Sequence, residues 1–257
     1  MVDSEITPPP IARQPLSARE RLIVALDFAS ADEALKIVDR LGAAVSFYKI
    51  GLHLHLAPRL HLLVSQLISA QKRLFLDFKY IDIPATVAGA VRTAVELGVD
   101  FITVTGQQHI VRAAVNARGE RGAKILAVTL LTAMNEADLR REYHTALTLK
   151  EFVERRAIAA ANAGGDGVIV SPNEIDLIRG VVPSPDFLIV TPGIRPAAAR
   201  RDDQVRTATP YDAVVRGADY LVVGRPIIGA AQPKDAALRI IDEMALALDH
   251  RGGKALP

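Results

Sequence analysis

The stretch Leu74-Phe75-Leu76-Asp77-Phe78-Lys79-Tyr80-Ile81-Asp82-Ile83-Pro84 reads as an apolar strand whose last residues carry charge and which runs directly into a helix. Successive side chains of a strand point to opposite faces, so Leu74, Leu76 and Phe78 share one face while Phe75, Asp77 and Lys79 share the other. Pro84 suits a first helical position, the helical pattern continues over 84–97, Gly98 stops it, and a new apolar run begins at Phe101. Strand, helix and strand in this order make the repeating unit of a parallel sheet. A carboxylate and an ammonium two residues apart at the strand end are costly to bury unless paired. The stretch alone is equally compatible with a structural ion pair and with a catalytic one.

The same alternation extends in both directions. Strand-like runs cover residues 22–28, 46–51, 73–79, 101–105, 124–130, 167–171, 186–191 and 220–224, with helical stretches such as 31–41, 84–97, 149–163 and 235–248 between them. Three echoes, Leu97-Gly98-Val99-Asp100, Ala163-Gly164-Gly165-Asp166 and Arg216-Gly217-Ala218-Asp219, each end a helix and launch a strand. Thr209-Pro210 has the form of a helix cap followed by proline. Eight strands with right-handed helical crossovers predict an α/β fold, a single (β/α)8 TIM barrel spanning 19–257, with a doubly wound open sheet as the alternative. Residues 1–18, with Pro8, Pro9, Pro10 and Pro15, read as a loose proline-rich arm.

Composition narrows the function classes. The chain has 257 residues, 50% hydrophobic and 23% charged, and its 31 basic and 29 acidic residues give a formal charge of +2. Such a balance has no global basic field to attract nucleic acid. Cysteine is absent, which excludes disulfides and thiol chemistry, and His53, His55 and His61 lack metal-ligand spacing. No apolar run is long enough to span a membrane, and the N-terminus has no basic-then-apolar leader, so a soluble cytoplasmic protein is expected.

In (β/α)8 barrels the chemistry sits at the C-terminal ends of the strands. Charged residues occupy that position repeatedly: Asp27 in the first run, Lys49 in the second, Asp77, Lys79 and Asp82 in the third. Pro192-Gly193-Ile194-Arg195 follows the seventh and Gly224-Arg225-Pro226 the eighth. Singly, Asp27 could cap a helix, Lys49 could snorkel and Arg195 could be a solvated loop charge. Together, gathered at one barrel mouth, they require compensation by one another or by a ligand. The loops after strands seven and eight often hold phosphate in such barrels, and Gly193, Arg195, Gly224 and Arg225 supply close backbone approach and guanidinium forks. A phosphorylated small molecule is the favoured ligand class.

The set Leu26-Asp27, Lys49-Ile50-Gly51, Asp77-Phe78-Lys79 with Asp82-Ile83-Pro84, Leu131-Thr132, Thr191-Pro192-Gly193-Ile194-Arg195, Asp202-Asp203-Gln204-Val205-Arg206 and Val223-Gly224-Arg225-Pro226 closely resembles the bacterial orotidine 5′-phosphate decarboxylases, from about residue 21 to 241. The resemblance implies a homodimeric barrel that converts orotidine 5′-monophosphate to uridine 5′-monophosphate and carbon dioxide, ending de novo pyrimidine synthesis, with no metal and no organic cofactor. It implies a charged array of Lys49, Asp77, Lys79 and Asp82, with Lys79 as proton donor to the pyrimidine carbon. Asp27 would hold a ribose hydroxyl and Thr132 would contact the base. Pro192, Arg195, Gln204, Gly224 and Arg225 would complete the substrate site on the phosphate side, with 197–206 as a lid. Asp82, Ile83 and Thr86 would reach into the partner subunit's site. Ala85, Thr105 and Ala133 depart from common residues of the family without touching the array.

Two other readings stand beside this one. A phosphosugar enzyme of the same superfamily would stabilise an enediolate with Mg²⁺ and needs further acidic ligands beside Asp77. A barrel that merely binds a nucleotide would have no use for an alternating charge array.

Overall fold

The computed structural model of the protein describes residues 16–120, 122–196 and 207–253. Among these residues each expected run contributes a strand to one parallel sheet: β1 (Leu22–Ala25), β2 (Phe47–Gly51), β3 (Arg73–Tyr80), β4 (Phe101–Thr105), β5 (Lys124–Val128), β6 (Gly167–Ile169), β7 (Leu188–Thr191) and β8 (Tyr220–Val223). Neighbours pair in chain order, and β8 also pairs with β1, so the sheet closes into a barrel rather than ending in open edges. Both faces of every strand are covered, which is why the runs read as continuously apolar instead of alternating. One face fills the barrel with Ile23, Phe47, Phe75, Phe101, Leu126, Ile169, Val190 and Tyr220. The other packs Leu22, Tyr48, Leu74, Ile102, Ile125, Val168, Ile189 and Leu221 under the surrounding helices.

Several strands stop short of their expected ends. The first leaves the ladder at Ala25, the fifth at Val128 and the sixth at Ile169, yet Leu26, Leu130, Val170 and Ser171 remain buried. Leu26 and Val170 still donate single cross-strand N–H bonds, to the Lys49 and Val190 carbonyls at 2.9 and 3.2 Å, and burial runs on past the regular ladder, so the apolar pattern overruns the strand. The overrun falls at the barrel mouth, where chain released from the ladder can turn its side chains toward a ligand.

The barrel base is closed by packing and charge. The Arg73 guanidinium lies 4.1 Å from the centre of the Phe47 ring, and Phe101 meets both Phe47 and Tyr220 edge-on at 5.0 Å. Leu16 packs against the same inner cluster, and its carbonyl accepts a hydrogen bond from Arg21 Nε at 3.1 Å. Residues 1–15, most of the expected arm, lie outside the described residues.

The three sequence echoes have a common structural cause. Gly98, Gly164 and Gly217 take positive φ values of 79°, 82° and 116°, which turn the chain out of each helix toward the next strand. The aspartate two residues later then accepts a backbone N–H from the preceding strand: Asp100 from Leu74 at 2.9 Å, Asp166 from Ile125 at 2.9 Å and Asp219 from Ile189 at 2.8 Å. Each aspartate also pairs with arginine, namely Arg73, Arg118 and Arg179. These clamps lock β3 to β4, β5 to β6 and β7 to β8 at the base, the face that serves stability. Asp219→Ala strands Arg179 among carbonyls and frees the Ile189 N–H. It should lower unfolding free energy by about 3 kcal/mol and Tm by roughly 6–12 °C. Urea and thermal melts check this, and a variant within about 0.5 kcal/mol of wild type would make the clamp a bystander.

Candidate active site

At the C-terminal mouth of the barrel, charges on or just beyond the first three strands form one alternating chain. Lys49, on β2, is buried to within 11% of side-chain exposure, and its Nζ lies 3.4 Å from Asp27 Oδ1 and 3.4 Å from Asp77 Oδ2. Lys79 Nζ donates to the other oxygen of Asp77 at 2.8 Å. The order is therefore acid, base, acid, base across Asp27, Lys49, Asp77 and Lys79. Asp27 is available for it because Ser30, not Asp27, caps the helix Ala31–Leu41 by accepting the Glu33 N–H.

Burial alone would raise the Asp77 pKa. The Lys49 and Lys79 ammonium groups, with hydrogen bonds from Lys79 and Thr103, outweigh it and hold the carboxyl below the usual carboxylate range. Asp77 is thus an anion at neutral pH in a sheltered site, flanked by two cations.

Glycine makes room for this chain. A Cβ on Gly51 would come within 2.9 Å of Lys49 Nζ, and one on Gly224 within 3.3 Å of Asp27 Oδ2. Both positions keep their short side for the sake of a neighbouring charge, a role that motif spacing did not reveal.

The β3 end is irregular. Leu76 pairs with Ile102 and Tyr80 with Val104, so three residues of β3 lie opposite the single residue Thr103. Lys79 takes φ 51°, a left-handed conformation uncommon for a residue with a side chain. The predicted faces nevertheless hold: Phe75 lies in the barrel interior, Leu74, Leu76 and Phe78 face the helices, and Asp77 and Lys79 meet in the mouth.

The four charges line one wall of a cavity whose apolar floor is Ala25, Phe75, Val128, Ile169 and Val222. Thr132, Pro192, Gly193, Arg195, Gly224 and Arg225 also line it. Gly193 has φ 80°, and the chain beyond it is tied by Arg195 N–H to the Ala208 carbonyl at 2.9 Å. Charged residues, apolar surface and two arginines thus line one cavity. That geometry suits an elongated ligand with a planar body and an anionic end.

Three expected site residues are not brought into this cavity. Asp82, Ile83 and Thr86 lie exposed outside it, and the Asp82 carboxylate accepts the Ile83 N–H at 2.6 Å. Ile83 is 67% and Ile81 68% exposed beside Asp82. Gln204, and the expected lid over 197–206, lie outside the described residues. Thr103, which contacts both Asp77 and the Lys79 backbone, was missed because it sits in mid-strand rather than at a strand end. Its only sequence signal is a hydroxyl between Ile102 and Val104.

Comparison with known proteins identifies the family. Residues 20–240 match the Orotidine 5'-phosphate decarboxylase / HUMPS family. A protein of Caulobacter vibrioides (strain NA1000 / CB15N) named orotidine 5'-phosphate decarboxylase is 47% identical over 233 residues, covering 90% of this chain and 99% of its own. One of the same name from Rhodopseudomonas palustris (strain HaA2) is 48% identical over 229 residues, covering 89% and 96%. The crystal structure of orotidine 5'-phosphate decarboxylase from Lactobacillus acidophilus superposes with a TM-score of 0.76 at 34% identity, covering 88% of this chain and 99% of that one.

Proposed function

Because the chain belongs to the Orotidine 5'-phosphate decarboxylase / HUMPS family, we propose that it is the carboxy-lyase that converts orotidine 5′-monophosphate to uridine 5′-monophosphate and carbon dioxide in pyrimidine biosynthesis, without a metal. The observation that carries the reading is the alternating chain Asp27, Lys49, Asp77, Lys79 at the barrel mouth.

Breaking the bond to the carboxylate leaves an electron pair on the pyrimidine carbon, with no adjacent group to delocalise it. Fixed positive charge aimed at that carbon is the available remedy. Lys79 supplies it and then transfers a proton from Nζ to the carbon, ending neutral until solvent reprotonates it. Lys49 keeps Asp77 ionised and oriented, so that Asp77 in turn holds Lys79 in place. Asp27 binds a ribose hydroxyl, Thr132 the base, and Pro192, Arg195, Gln204, Gly224 and Arg225 the phosphate end. Binding energy from that remote phosphate serves the reacting carbon.

The protein acts as a homodimer with shared sites, each completed by Asp82, Ile83 and Thr86 of the partner subunit. The exposed side chains of Ile81 and Ile83 on either side of Asp82 support this, because a partner subunit there would take both out of water. A cytoplasmic localisation follows from the proposed biosynthetic role; separately, no helix among the described residues is long and apolar enough to cross a membrane.

The described residues also contain no group of three or more His, Asp or Glu placed to hold a metal ion. On the metal-free reading, purified protein should release carbon dioxide from orotidine 5′-monophosphate at an undiminished rate in excess chelator. No turnover overturns the reading, and turnover only with added metal favours the enediolate class instead.

A further inference from the structure

Thr103 is fully buried in β4, and its hydroxyl joins the two residues on which the proposed chemistry depends. Its Oγ1 accepts the Lys79 backbone N–H at 2.9 Å and donates to Asp77 Oδ1 at 3.0 Å. The direction of both bonds is forced, since an amide can only donate and an ionised carboxylate can only accept. The hydroxyl's single proton is committed to Asp77.

The irregular pairing explains why a side chain does this work. With three residues of β3 opposite one of β4, the Lys79 N–H has left the regular ladder, and a buried N–H must find another acceptor. Thr103 is that acceptor, and it holds the backbone at the left-handed residue from which the Lys79 side chain turns back to Asp77. The two oxygens of Asp77 are thereby allotted. Oδ1 receives Lys79 Nζ and Thr103, while Oδ2 faces Lys49 at 3.4 Å. Loss of the hydroxyl would release the Lys79 backbone and the Asp77 carboxylate together.

We propose that Thr103 is a positioning residue for the decarboxylation, acting through Lys79 and Asp77 rather than on the substrate. This rests on the decarboxylase reading above. A purely structural Thr103 would affect stability alone, whereas a positioning residue affects kcat with little change in substrate binding, because the phosphate end of the site lies on other strands.

Thr103→Val keeps the branched shape and removes the hydroxyl. It should lower kcat roughly tenfold to a hundredfold, the loss expected of one buried hydrogen bond to a charged group. KM and the Kd for uridine 5′-monophosphate should stay within about threefold, and Thr103→Ser should retain kcat within about threefold. If the valine variant does not fold, the pair Thr103→Ser and Thr103→Ala, both lacking the methyl, isolates the hydroxyl in the same way. Equal kcat for valine and wild type, or for serine and alanine, overturns the proposal while leaving the decarboxylase reading intact. A folded wild type without turnover removes the decarboxylase reading, and this role with it.

Discussion

Lys79→Ala is expected to leave a folded protein that binds uridine 5′-monophosphate nearly as wild type does and releases almost no carbon dioxide from orotidine 5′-monophosphate. The size of the loss follows from the two tasks assigned to one ammonium. A positioned general acid contributes on the order of 10²–10⁴ in rate, and a fixed charge at the developing anion on the order of 10²–10³. The two act as a unit and are not strictly additive, so a fall of about 10⁵ in kcat is the expected scale. Folding should survive because Lys49 still faces Asp77 at 3.4 Å, and binding because the proposed phosphate contacts come from other loops. Single-turnover carbon dioxide release and titration with uridine 5′-monophosphate separate the two quantities. A variant that keeps substantial turnover would strip Lys79 of the proton-donor role.

Asp82→Ala should be comparably severe, and its distinctive signature is complementation. Asp82 lies outside the cavity of its own chain, so in a shared site it serves the neighbour. Mixing Asp82→Ala with Lys79→Ala protein and allowing subunits to re-pair creates hybrid dimers. In each hybrid one site receives Lys79 from one chain and Asp82 from the other, and the second site lacks both. Random re-pairing makes half the dimers hybrid, so activity should recover to about a quarter of wild type. Neither parent alone should show it. A mixture as inactive as its components, under conditions where a labelled pair demonstrably exchanges, would mean that Asp82 acts within its own chain or not at all.

Much of the barrel could be read from the chain because its causes are local. The helix Ala31–Leu41 matches its predicted bounds, and β4 does as well, because periodicity and punctuation act over a few residues. The Gly-x-Asp echoes were visible as a repeat. Their meaning as clamps was not, since each aspartate bonds to a strand some 26 to 41 residues earlier. Strand ends at the mouth were overestimated for a related reason: side chains past Ala25 and Val128 stay buried beyond the end of the regular ladder.

The candidate site divides along the same line. Residue types and their place late in successive strands were enough to nominate Asp27, Lys49, Asp77 and Lys79, because closing eight parallel strands brings their C-terminal ends to one mouth. Which acid faces which base, and that Asp82 stands apart from them, depends on distances between strands that no spacing along the chain encodes. The bulge opposite Thr103 and the close approach of Gly51 and Gly224 to neighbouring charges are of the same kind. Local periodicity sets where strands and helices form. The pairing of buried charges is set by packing among segments remote in sequence, where sub-ångström differences in approach decide which polar groups find partners.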